Sequence, residues 1–438
     1  MNVSASPIKK SEILFEVVVP HEEFEPFAKR AAILLSEERD FEGFRKGKVP
    51  YEIVKKAVGE QAIYERAADL AVRKMYGDAL REALQKSPHD PEKEETPIGH
   101  PEITVTKVAP GNELQFKAKV SLMPHVSLPD YKALAREIKK REAKEISVKE
   151  EEVSAAIDWL LDSRATEIAV ARPAQKGDSV EIDFEIRRGG IKIENGESRR
   201  HPLIIGKGKF IPGFEENLIG LASGETKSFT LVAPDSWHEK SLRGSALDIT
   251  ATMKEVRERN IPALTDEFAK TAGAFESKDK LLESVRAGLL EERLAKEKER
   301  IRMRIIEEIT GKMTLEIPDL LVELELDKMA DELKSGVGEM GMKWDEYLLH
   351  IKKDIAGLRA DWRSEGEKRA RIALTLREIA AQEHIAPAED EIQTRANEFL
   401  ARYKTVRDAE KKIDPGALKE YTRGVLRNEK VFEFLESA

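Results

Sequence analysis

The chain has 438 residues, of which 36% are charged, and its 83 acidic and 74 basic side chains give a net charge of −9. This length predicts about three domains, and the negative balance argues against a protein that coats nucleic acid through its net charge. The absence of cysteine excludes disulfide bonds and thiolate chemistry. No apolar run reaches the roughly 18 residues needed to cross a bilayer, and Glu16 interrupts the apolar stretch 13–19. We therefore expect a cytoplasmic protein with no signal peptide and no membrane partner.

The first 125 residues are predicted to form an α+β domain. Apolar residues alternate over 13–19, as in a half-buried strand, and then recur at helical spacing from about 21 to 84. Residues 87–101 are rich in proline and charge and predict a loop. Two strands follow, starting at about 103 and 114, with the turn Pro110-Gly111-Asn112 between them. We expect helices packed on a small antiparallel sheet.

One connection between two predicted helices contains an aromatic residue and several cations in addition to the glycines and proline that a turn needs. Its sequence is Gly43-Phe44-Arg45-Lys46-Gly47-Lys48-Val49-Pro50. Glycine tolerates left-handed backbone angles, so Gly43 and Gly47 allow a tight reversal, and Pro50 suits the start of the next helix. Such a turn would expose Phe44 beside two cations, which favours docking on a phosphate-rich surface. The alternative is an ordinary helix–helix turn with solvated charges.

This string resembles the ribosome-docking signature of the bacterial trigger factor family. The resemblance implies a ribosome-binding tip that consists of Gly43, Phe44, Arg45, Lys46 and Gly47. In that family the tip docks at the rim of the exit tunnel of the large ribosomal subunit, on protein and ribosomal RNA.

Residues 126–149 predict a charged linker, and residues 150–257 predict a β-rich domain that begins with an amphipathic helix. Strand patterns lie at 180–186, 203–205, 229–231 and 247–253. The Gly206-Lys207-Gly208-Lys209 segment lacks the G-x-x-x-x-G-K-[ST] spacing of a phosphate-binding loop, so we do not expect nucleotide binding there.

Residues 178–257 resemble the FKBP-type prolyl isomerase fold, an antiparallel sheet with a short helix and an apolar cup. Carried over by motif position, the catalytic cup would be lined by Phe184, Ile193, Phe210, Ile211, Phe214, Trp237 and Ile249. The Ile211 backbone N–H would anchor the substrate carbonyl, with Phe214 and Trp237 as floor and wall. Ordinary core packing is the alternative, above all for Phe184 and Ile249. Because Ile193 and Ile249 stand where the family commonly has aromatic residues, the resemblance leaves efficient catalysis open.

Residues 258–438 predict an all-α domain. A long helix over about 281–309 contains a nearly polar stretch at 291–300, which is typical of an arm held by charge pairs. Further helices are predicted from 317 to the glycines at 336–341, over 344–384, from 387 to 400 and over 415–436. Three methionines and two aromatic residues of this domain could form an adaptable surface for substrates, but we expect most of them to lie in the core. They are Met329, Met340, Met342, Trp344 and Tyr347. The module resembles the helical arms of the trigger factor chaperone domain, on which the linker 126–149 would pack.

The whole chain therefore predicts a multidomain α+β protein with an N-terminal α+β ribosome-binding domain, an FKBP-like antiparallel sheet and a C-terminal all-α domain with helical arms. The resemblance implies an ATP-independent chaperone with peptidyl-prolyl cis-trans isomerase activity, whose partners are the large ribosomal subunit and nascent unfolded polypeptides. The sequence has no H-E-x-x-H and no G-x-S-x-G motif, so we expect no metal, no cofactor and no DNA partner. A free prolyl isomerase and a helical scaffold with an inactive isomerase fold are the alternatives, and a weak homodimer off the ribosome is left open.

Overall fold

The computed structural model describes residues 1–87, 95–208, 210–237, 239, 242–401 and 414–438. The chain divides into two compact units, one formed by Met1–Ala143 with Glu299–Ala438 and the other by Lys144–Lys298.

Within the described residues, the strands in chain order are β1 (Asn2–Ala5), β2 (Glu12–Val19), β3 (Pro97–Lys107), β4 (Leu114–Leu122), β5 (Thr166–Ala169), β6 (Ser179–Arg188), β7 (Ile191–Ile204), β8 (Thr226–Val232) and β9 (Ala246–Asn260). The helices are α1 (His21–Glu38), α2 (Tyr51–Val58), α3 (Glu60–Lys86), α4 (Tyr131–Glu142), α5 (Glu150–Ser163), α6 (Phe214–Leu218), α7 (Asp266–Ala272), α8 (Lys278–Gly311), α9 (Asp319–Glu339), α10 (Trp344–Ile351), α11 (Ile355–Gln382), α12 (Glu389–Leu400) and α13 (Pro415–Ser437).

The N-terminal part of the first unit is an antiparallel sheet with the strand order β1-β2-β4-β3, covered on one face by helices. Alternate residues of β2, such as Phe15 and Val17, are fully buried, together with Phe116 of β4 and Phe24 of α1. This arrangement confirms the predicted α+β domain, although the short strand β1 was not predicted.

The predicted loop over 87–101 is wrong in its second half. Strand β3 begins at Pro97, not at 103, and pairs with β4 through a register shift between Ile98 and Glu102. Proline is tolerated there because β3 is an edge strand and Pro101 falls inside the irregularity, where no ladder N–H is needed. Residues 88–94 of the predicted loop, which include His89, lie outside the described residues.

The helical part of the first unit has its own core, to which α4, α8, α9, α11 and α13 each contribute. Representative buried side chains from these helices are Ile138, Ile309, Leu326, Ile379 and Leu435. The charged linker segment thus contains a helix, α4, that was not predicted. Its apolar stripe is short and lies within a run of cations, which made the segment resemble solvated chain.

The single helix predicted over 344–384 is wrong, because the structure has two. Helix α10 ends at Lys352, which adopts a left-handed conformation with φ of 55°. Asp354 then caps α11 by accepting a hydrogen bond from the backbone N–H of Gly357 at 2.7 Å. The helix end predicted at the glycines 336–341 is confirmed, since α9 ends at Glu339.

The second unit contains a five-stranded antiparallel sheet in which β5, β9, β6 and β7 follow one another and β8 pairs with the other part of β9. The short strand predicted over 203–205 is the end of β7, which is 14 residues long. A separate small cluster joins α5, α7 and the start of α8 through Ile157, Phe268 and Leu281. Strand β5 and helix α7 were not predicted as elements.

These features confirm the predicted fold class, a multidomain α+β protein with a β-rich domain and a helical C-terminal domain. None of the described helices is long and apolar enough to cross a membrane.

Candidate functional site

The turn between α1 and α2 holds its tip away from the core. Gly43 and Gly47 have φ values of 82° and 75°, in the region that favours glycine. The backbone N–H of Gly47 donates to the carbonyl oxygen of Ser36 at 3.3 Å, which fastens the turn to the last part of α1. The ends of the turn are therefore fixed, and residues 44–46 project between them.

The side chains at this tip are an exposed aromatic ring and two exposed cations. Phe44 retains 40% of its surface in contact with solvent, although neighbouring Val49 is buried. Lys46 pairs with Asp40 at 3.1 Å, an ion pair of two exposed groups. Arg45 is exposed and has no carboxylate partner within the described part of the chain. The arrangement leaves one aromatic and at least one cation available to a surface.

The seven residues predicted for the cup lie in one hydrophobic cluster of the second unit. Ile211, Phe214 and Ile249 are buried, whereas four are partly exposed and pack against them, namely Phe184, Ile193, Phe210 and Trp237. Partial exposure of three aromatic side chains at one edge of a core is the feature that a binding cup requires. The buried members also serve as core.

Three phenylalanines from separate segments form the centre of this cluster. Phe210 stacks on Phe214 with ring centroids 4.3 Å apart, and Phe184 from β6 meets both rings edge-on, at 5.4 and 6.0 Å. Offset-stacked and edge-to-face pairs are the favourable geometries for aromatic rings. The result is a packed group of rings in which Phe214 is buried and Phe184 and Phe210 are partly exposed.

Two further aromatic residues of the cluster were missed from the sequence. His201 lies edge-on to Phe184 and Phe210, at 5.5 and 5.3 Å, and Phe229 lies 5.8 Å from Phe214. His201 follows two arginines in the sequence, which resembles a solvated charge run. On β7, His201 pairs with the buried Ile182 of β6, and this strand register places the imidazole beside the cup. The cup is thus more aromatic than the prediction implied.

A buried carboxylate organises the segment that carries Phe210 and Ile211. Glu215 is 4% exposed and accepts hydrogen bonds from the backbone N–H groups of Gly206 and Gly208, at 2.6 and 3.0 Å. The N–H of Phe214 donates to the carbonyl of Ile211 at 2.9 Å. Within the described residues, the Ile211 N–H itself has no acceptor.

Two buried or half-buried carboxylates of this domain, Asp162 and Asp178, pair with cations. Arg259 and Lys207 contact the Asp162 carboxylate at 2.9 and 3.2 Å, and these hydrogen bonds lower the pKa of Asp162. Burial alone would raise the pKa of Asp178, but Arg172 and the Gln175 N–H outweigh that effect and lower the pKa. Neither carboxylate belongs to the hydrophobic cluster that contains the predicted cup. We therefore assign these ion pairs to the stability of the domain and not to contact with a substrate.

The segment 340–349, which consists of the turn between α9 and α10 and most of α10 and is called the exposed turn below, carries a group of large apolar side chains at the surface. Met340 and Leu349 are 71% and 78% exposed, and Met342 is also exposed. Trp344 and Tyr347 stack on each other at 5.9 Å and are only partly buried. The expectation that most of this set lies in the core is therefore wrong, because α10 has no buried residue and Met340 and Met342 are exposed. Met329 alone packs against the helical core.

In the part of the chain that is described, no three His, Asp or Glu side chains are grouped so that they could hold a metal ion. The sites are an aromatic-cation tip, an apolar cup and an exposed apolar turn. With the fold, they define a multidomain protein that has an antiparallel β-domain with an apolar cup, an α+β domain and a helical domain.

Comparison with known proteins identifies the family. Residues 1–160 match the model of the bacterial trigger factor protein, residues 170–254 that of FKBP-type peptidyl-prolyl cis-trans isomerase, and residues 277–436 that of the trigger factor C-terminus. A trigger factor of Clostridium kluyveri is 30% identical over 99% of this chain and 98% of its own length. A trigger factor of Brevibacillus brevis is 33% identical over 85% of this chain and 83% of its own length.

A solved structure described as "Promiscuous Substrate Recognition in Folding and Assembly Activities of the Trigger Factor Chaperone" aligns with 100% of this chain and 99% of its own, at 21% identity and a TM-score of 0.48. The assignment rests on the sequence matches. This chain belongs to the trigger factor family of chaperones and contains an FKBP-type isomerase domain.

Proposed function

We propose that the protein is an ATP-independent chaperone that docks on the large ribosomal subunit near the exit tunnel, holds nascent unfolded chains and isomerises X-Pro bonds in them. The observation that carries the docking step is the tip at 43–47, where Phe44 is exposed between two glycines with positive φ. The tip offers two interactions to a ribosome. The Phe44 ring can be buried against a protein surface, and Arg45 can form charge-assisted hydrogen bonds with phosphate oxygens of RNA. Its place of action is the cytoplasm.

The proposed division of the chain follows the same functions. Residues 1–125 form the ribosome-binding domain, 126–149 the linker that packs on the C-terminal module, 150–257 the isomerase domain and 258–438 the substrate-cradling domain. The packing of α4 in one core with α8, α11 and α13 supports the role given to the linker.

Isomerisation in the cup requires no acid, base or nucleophile. The barrier to rotation is about 18–20 kcal/mol because the amide C–N bond has partial double-bond character. A dry, rigid cup favours the twisted amide, which has less charge separation than the planar form. The open N–H of Ile211 is suited to bind the substrate carbonyl while the proline ring contacts the partly exposed rings of Phe184 and Phe210, which pack on the buried Phe214. The partly exposed Ile193 and Trp237 complete the surface, and the buried Ile249 packs in the same cluster.

The holding of unfolded segments is assigned to apolar surface on the helical module. The exposed turn that contains Met340, Met342 and Leu349 supports this assignment, because flexible methionine side chains adapt to many apolar partners.

Co-sedimentation with bacterial ribosomes over a salt series tests the docking step. The test variant is Phe44→Ala/Arg45→Ala/Lys46→Ala. A matched control, Arg187→Ala/Ile191→Ala/Lys192→Ala, removes two cations and one exposed apolar side chain from the β6–β7 hairpin instead. We expect binding that weakens with salt in the wild type and the control and is lost in the test variant.

If all three proteins stayed in the supernatant at low salt, docking would be excluded, and a free prolyl isomerase would become the better account. Equal binding by all three would show that another surface makes the contact.

A further inference from the structure

Two polar side chains of β7 lie beside the aromatic rings of the cup. His201 and Ser198 are both partly buried, and the Ser198 hydroxyl oxygen lies 3.5 Å from Nδ1 of His201. The imidazole meets Phe184 and Phe210 edge-on. Apolar contact with a proline ring needs neither a hydroxyl nor an imidazole, so this pair adds a polar element to the cup.

The pair forms because β7 has a β-bulge at this place. His201 pairs with Ile182 of β6. Two residues further along β6, Phe184 pairs with Ser198, where an unbroken antiparallel ladder would have Arg199. Since paired residues of neighbouring strands share a face of the sheet, the bulge keeps the guanidinium of Arg199 away from the ring of Phe184. It places the small hydroxyl of Ser198 there instead.

The bulge is held by an unusual backbone conformation and a carboxylate. Arg200 has a φ of 49°, a left-handed conformation that residues other than glycine rarely adopt. Its N–H donates to the Asp183 carboxylate at 2.8 Å, and this bond, together with the Lys254 side chain, lowers the pKa of Asp183. A bulge that is fixed in this way redirects the side chains next to it. The position of Ser198 is therefore specified by the strand and is not accidental.

The two ring nitrogens of His201 have different surroundings. Nδ1 faces the Ser198 hydroxyl, which can donate a hydrogen bond to it. Within the described residues Nε2 has no hydrogen-bond partner, and it is not among the buried polar atoms, so it is accessible to solvent. When the hydroxyl donates to Nδ1, the neutral ring carries its proton on Nε2, and this nitrogen is a donor.

A donor at this place is within reach of a residue next to a bound proline. The ring centroids of Phe184 and Phe210, which would contact the proline ring, lie 5.5 and 5.3 Å from that of His201. Neighbouring Cα atoms of a peptide are about 3.8 Å apart, so a side chain next to the proline spans this distance. A carboxylate or amide oxygen there can accept from Nε2, whereas an apolar side chain would cover the donor without satisfying it.

We propose that His201, positioned by Ser198, is a specificity-determining residue of the cup that favours X-Pro segments with a carboxylate or amide side chain next to the proline. This role rests on the proposed isomerase function and specifies its substrates. An entirely apolar cup would instead favour apolar neighbours of the proline.

The test compares peptides that differ only next to the proline. One set has Glu, Gln or Leu immediately before a single proline, and a second set has the same three residues immediately after it. Values of kcat/KM are measured with the full-length protein in a protease-free isomerisation assay, because cleavage by a coupling protease would itself depend on these residues. The test variants are His201→Phe, which keeps a ring against Phe184 and Phe210 but has no nitrogen, and Ser198→Ala.

Arg199→Gln is the matched control. It removes an exposed cation next to Ser198 that the bulge keeps off the cup face, and it therefore reports any effect of local positive charge. Thermal unfolding establishes that each variant is folded. His201→Leu, which also lacks a ring nitrogen but is smaller, gives the same measurement if the phenylalanine variant does not fold.

The quantity compared is kcat/KM for the Glu or Gln peptide divided by kcat/KM for the Leu peptide. At one of the two positions we expect this ratio to be about five-fold higher in the wild type than in His201→Phe, which corresponds to one hydrogen bond. The Glu peptide should show the larger effect, since hydrogen bonds to a charged group are stronger. Ser198→Ala should give an intermediate ratio, and Arg199→Gln should match the wild type.

Equal ratios in the wild type and His201→Phe at both positions would overturn the inference, as would a ratio that fell only in Arg199→Gln. If the Leu peptide is isomerised in either case, the proposed isomerase function stands and only the role of His201 is wrong. Failure of the wild type to isomerise any of the peptides would contradict the proposed isomerase function, and the role of His201 with it.

Discussion

The Glu215 carboxylate receives the backbone N–H of Gly206 at 2.6 Å, although nine residues separate them in the chain. The same oxygen receives the N–H of Gly208 at 3.0 Å. Since Glu215 directly follows Phe214, these bonds fix the segment that carries Phe210 and Ile211 to the helix that carries the floor of the cup. We therefore assign Glu215 a positioning role: it holds the segment with Phe210 and Ile211 in place and does not itself contact the substrate.

Replacement of Glu215 by alanine should therefore loosen the cup. Two backbone donors would lose a buried charged acceptor, at a cost of about 1–3 kcal/mol in the free energy of unfolding. Because the rings of Phe210 and Phe214 would no longer be held in register, kcat/KM on a prolyl peptide should fall by about ten- to a hundred-fold. Glu215→Gln keeps one acceptor oxygen and should lose less activity.

The control for this prediction is Glu216→Ala, which removes the neighbouring carboxylate. Isomerase assays and urea unfolding should give values for it close to those of the wild type. Equal losses in the two alanine variants would mean that negative charge at α6, rather than the hydrogen bonds of Glu215, matters to the cup.

Catalysis and the holding of unfolded chains should be separable at Phe214. Its ring is fully buried and stacks on Phe210, so Phe214→Ala should abolish isomerase activity and destabilise the second unit by about 3–5 kcal/mol. Phe214→Leu keeps most of the volume but no ring, and it should lose activity with a smaller loss of stability. Suppression of aggregation should survive in both variants, because the exposed turn at 340–349 is unaltered.

The measurements are a prolyl isomerisation assay and light scattering of a refolding client. Holding that fell in step with isomerisation would contradict the division of labour between the cup and the helical module.

The elements that sequence patterns predicted well are those with a one-sided apolar pattern. Strand β2 alternates without interruption and α1 repeats its apolar residues at helical spacing, so β2 and the start of α1 were predicted within about a residue. Helix α4 was missed because its stripe covers only two turns, Tyr131 to Ile138, and its burial comes from helices that are distant in sequence. The break at Lys352 was missed because a left-handed lysine leaves no signature in composition.

In the cup, too, the residues that depend on long-range strand pairing were not predicted from the sequence. All seven residues inferred by motif position lie in one cluster, yet their role in binding stays a prediction. His201 was missed because its contribution depends on the strand register opposite Ile182, which is a long-range pairing.

The stability of the second unit should fall in acid partly because of Asp178. Its side chain is 5% exposed and pairs with Arg172 at 2.6 Å, and its pKa is lowered when the protein is folded. A carboxylate with a lowered folded-state pKa contributes stability above its unfolded value, about 3.9, and loses it as the pH falls through the folded-state value. We therefore expect the free energy of unfolding to decline below about pH 4.

Asp178→Asn should be less stable than the wild type at pH 7 and should decline less between about pH 4 and pH 2, since the proton-linked part is gone. Urea unfolding at a series of pH values measures both quantities. The exposed Asp158 of α5 provides a control, and Asp158→Asn should follow the wild-type curve. A parallel decline in all three proteins would place the acid sensitivity on other carboxylates.

The exposed turn between α9 and α10 should hold unfolded clients at no cost in stability. Met340 and Leu349 keep most of their surface in solvent, so Met340→Ser/Leu349→Ser removes little buried area and should change the free energy of unfolding by less than about 0.5 kcal/mol. The same change removes much of the exposed apolar surface of the turn, and the amount of protein needed to suppress client aggregation should rise several-fold.

The matched control replaces two equally exposed apolar residues of the second unit, Trp159 and Ile191, which are 72% and 76% exposed. If Trp159→Ser/Ile191→Ser weakened suppression as much as the turn variant, general surface hydrophobicity would account for holding. A loss confined to the turn variant would instead locate client binding on the helical module. There the exposed Met340 and Leu349 lie close in sequence to the stacked pair Trp344 and Tyr347.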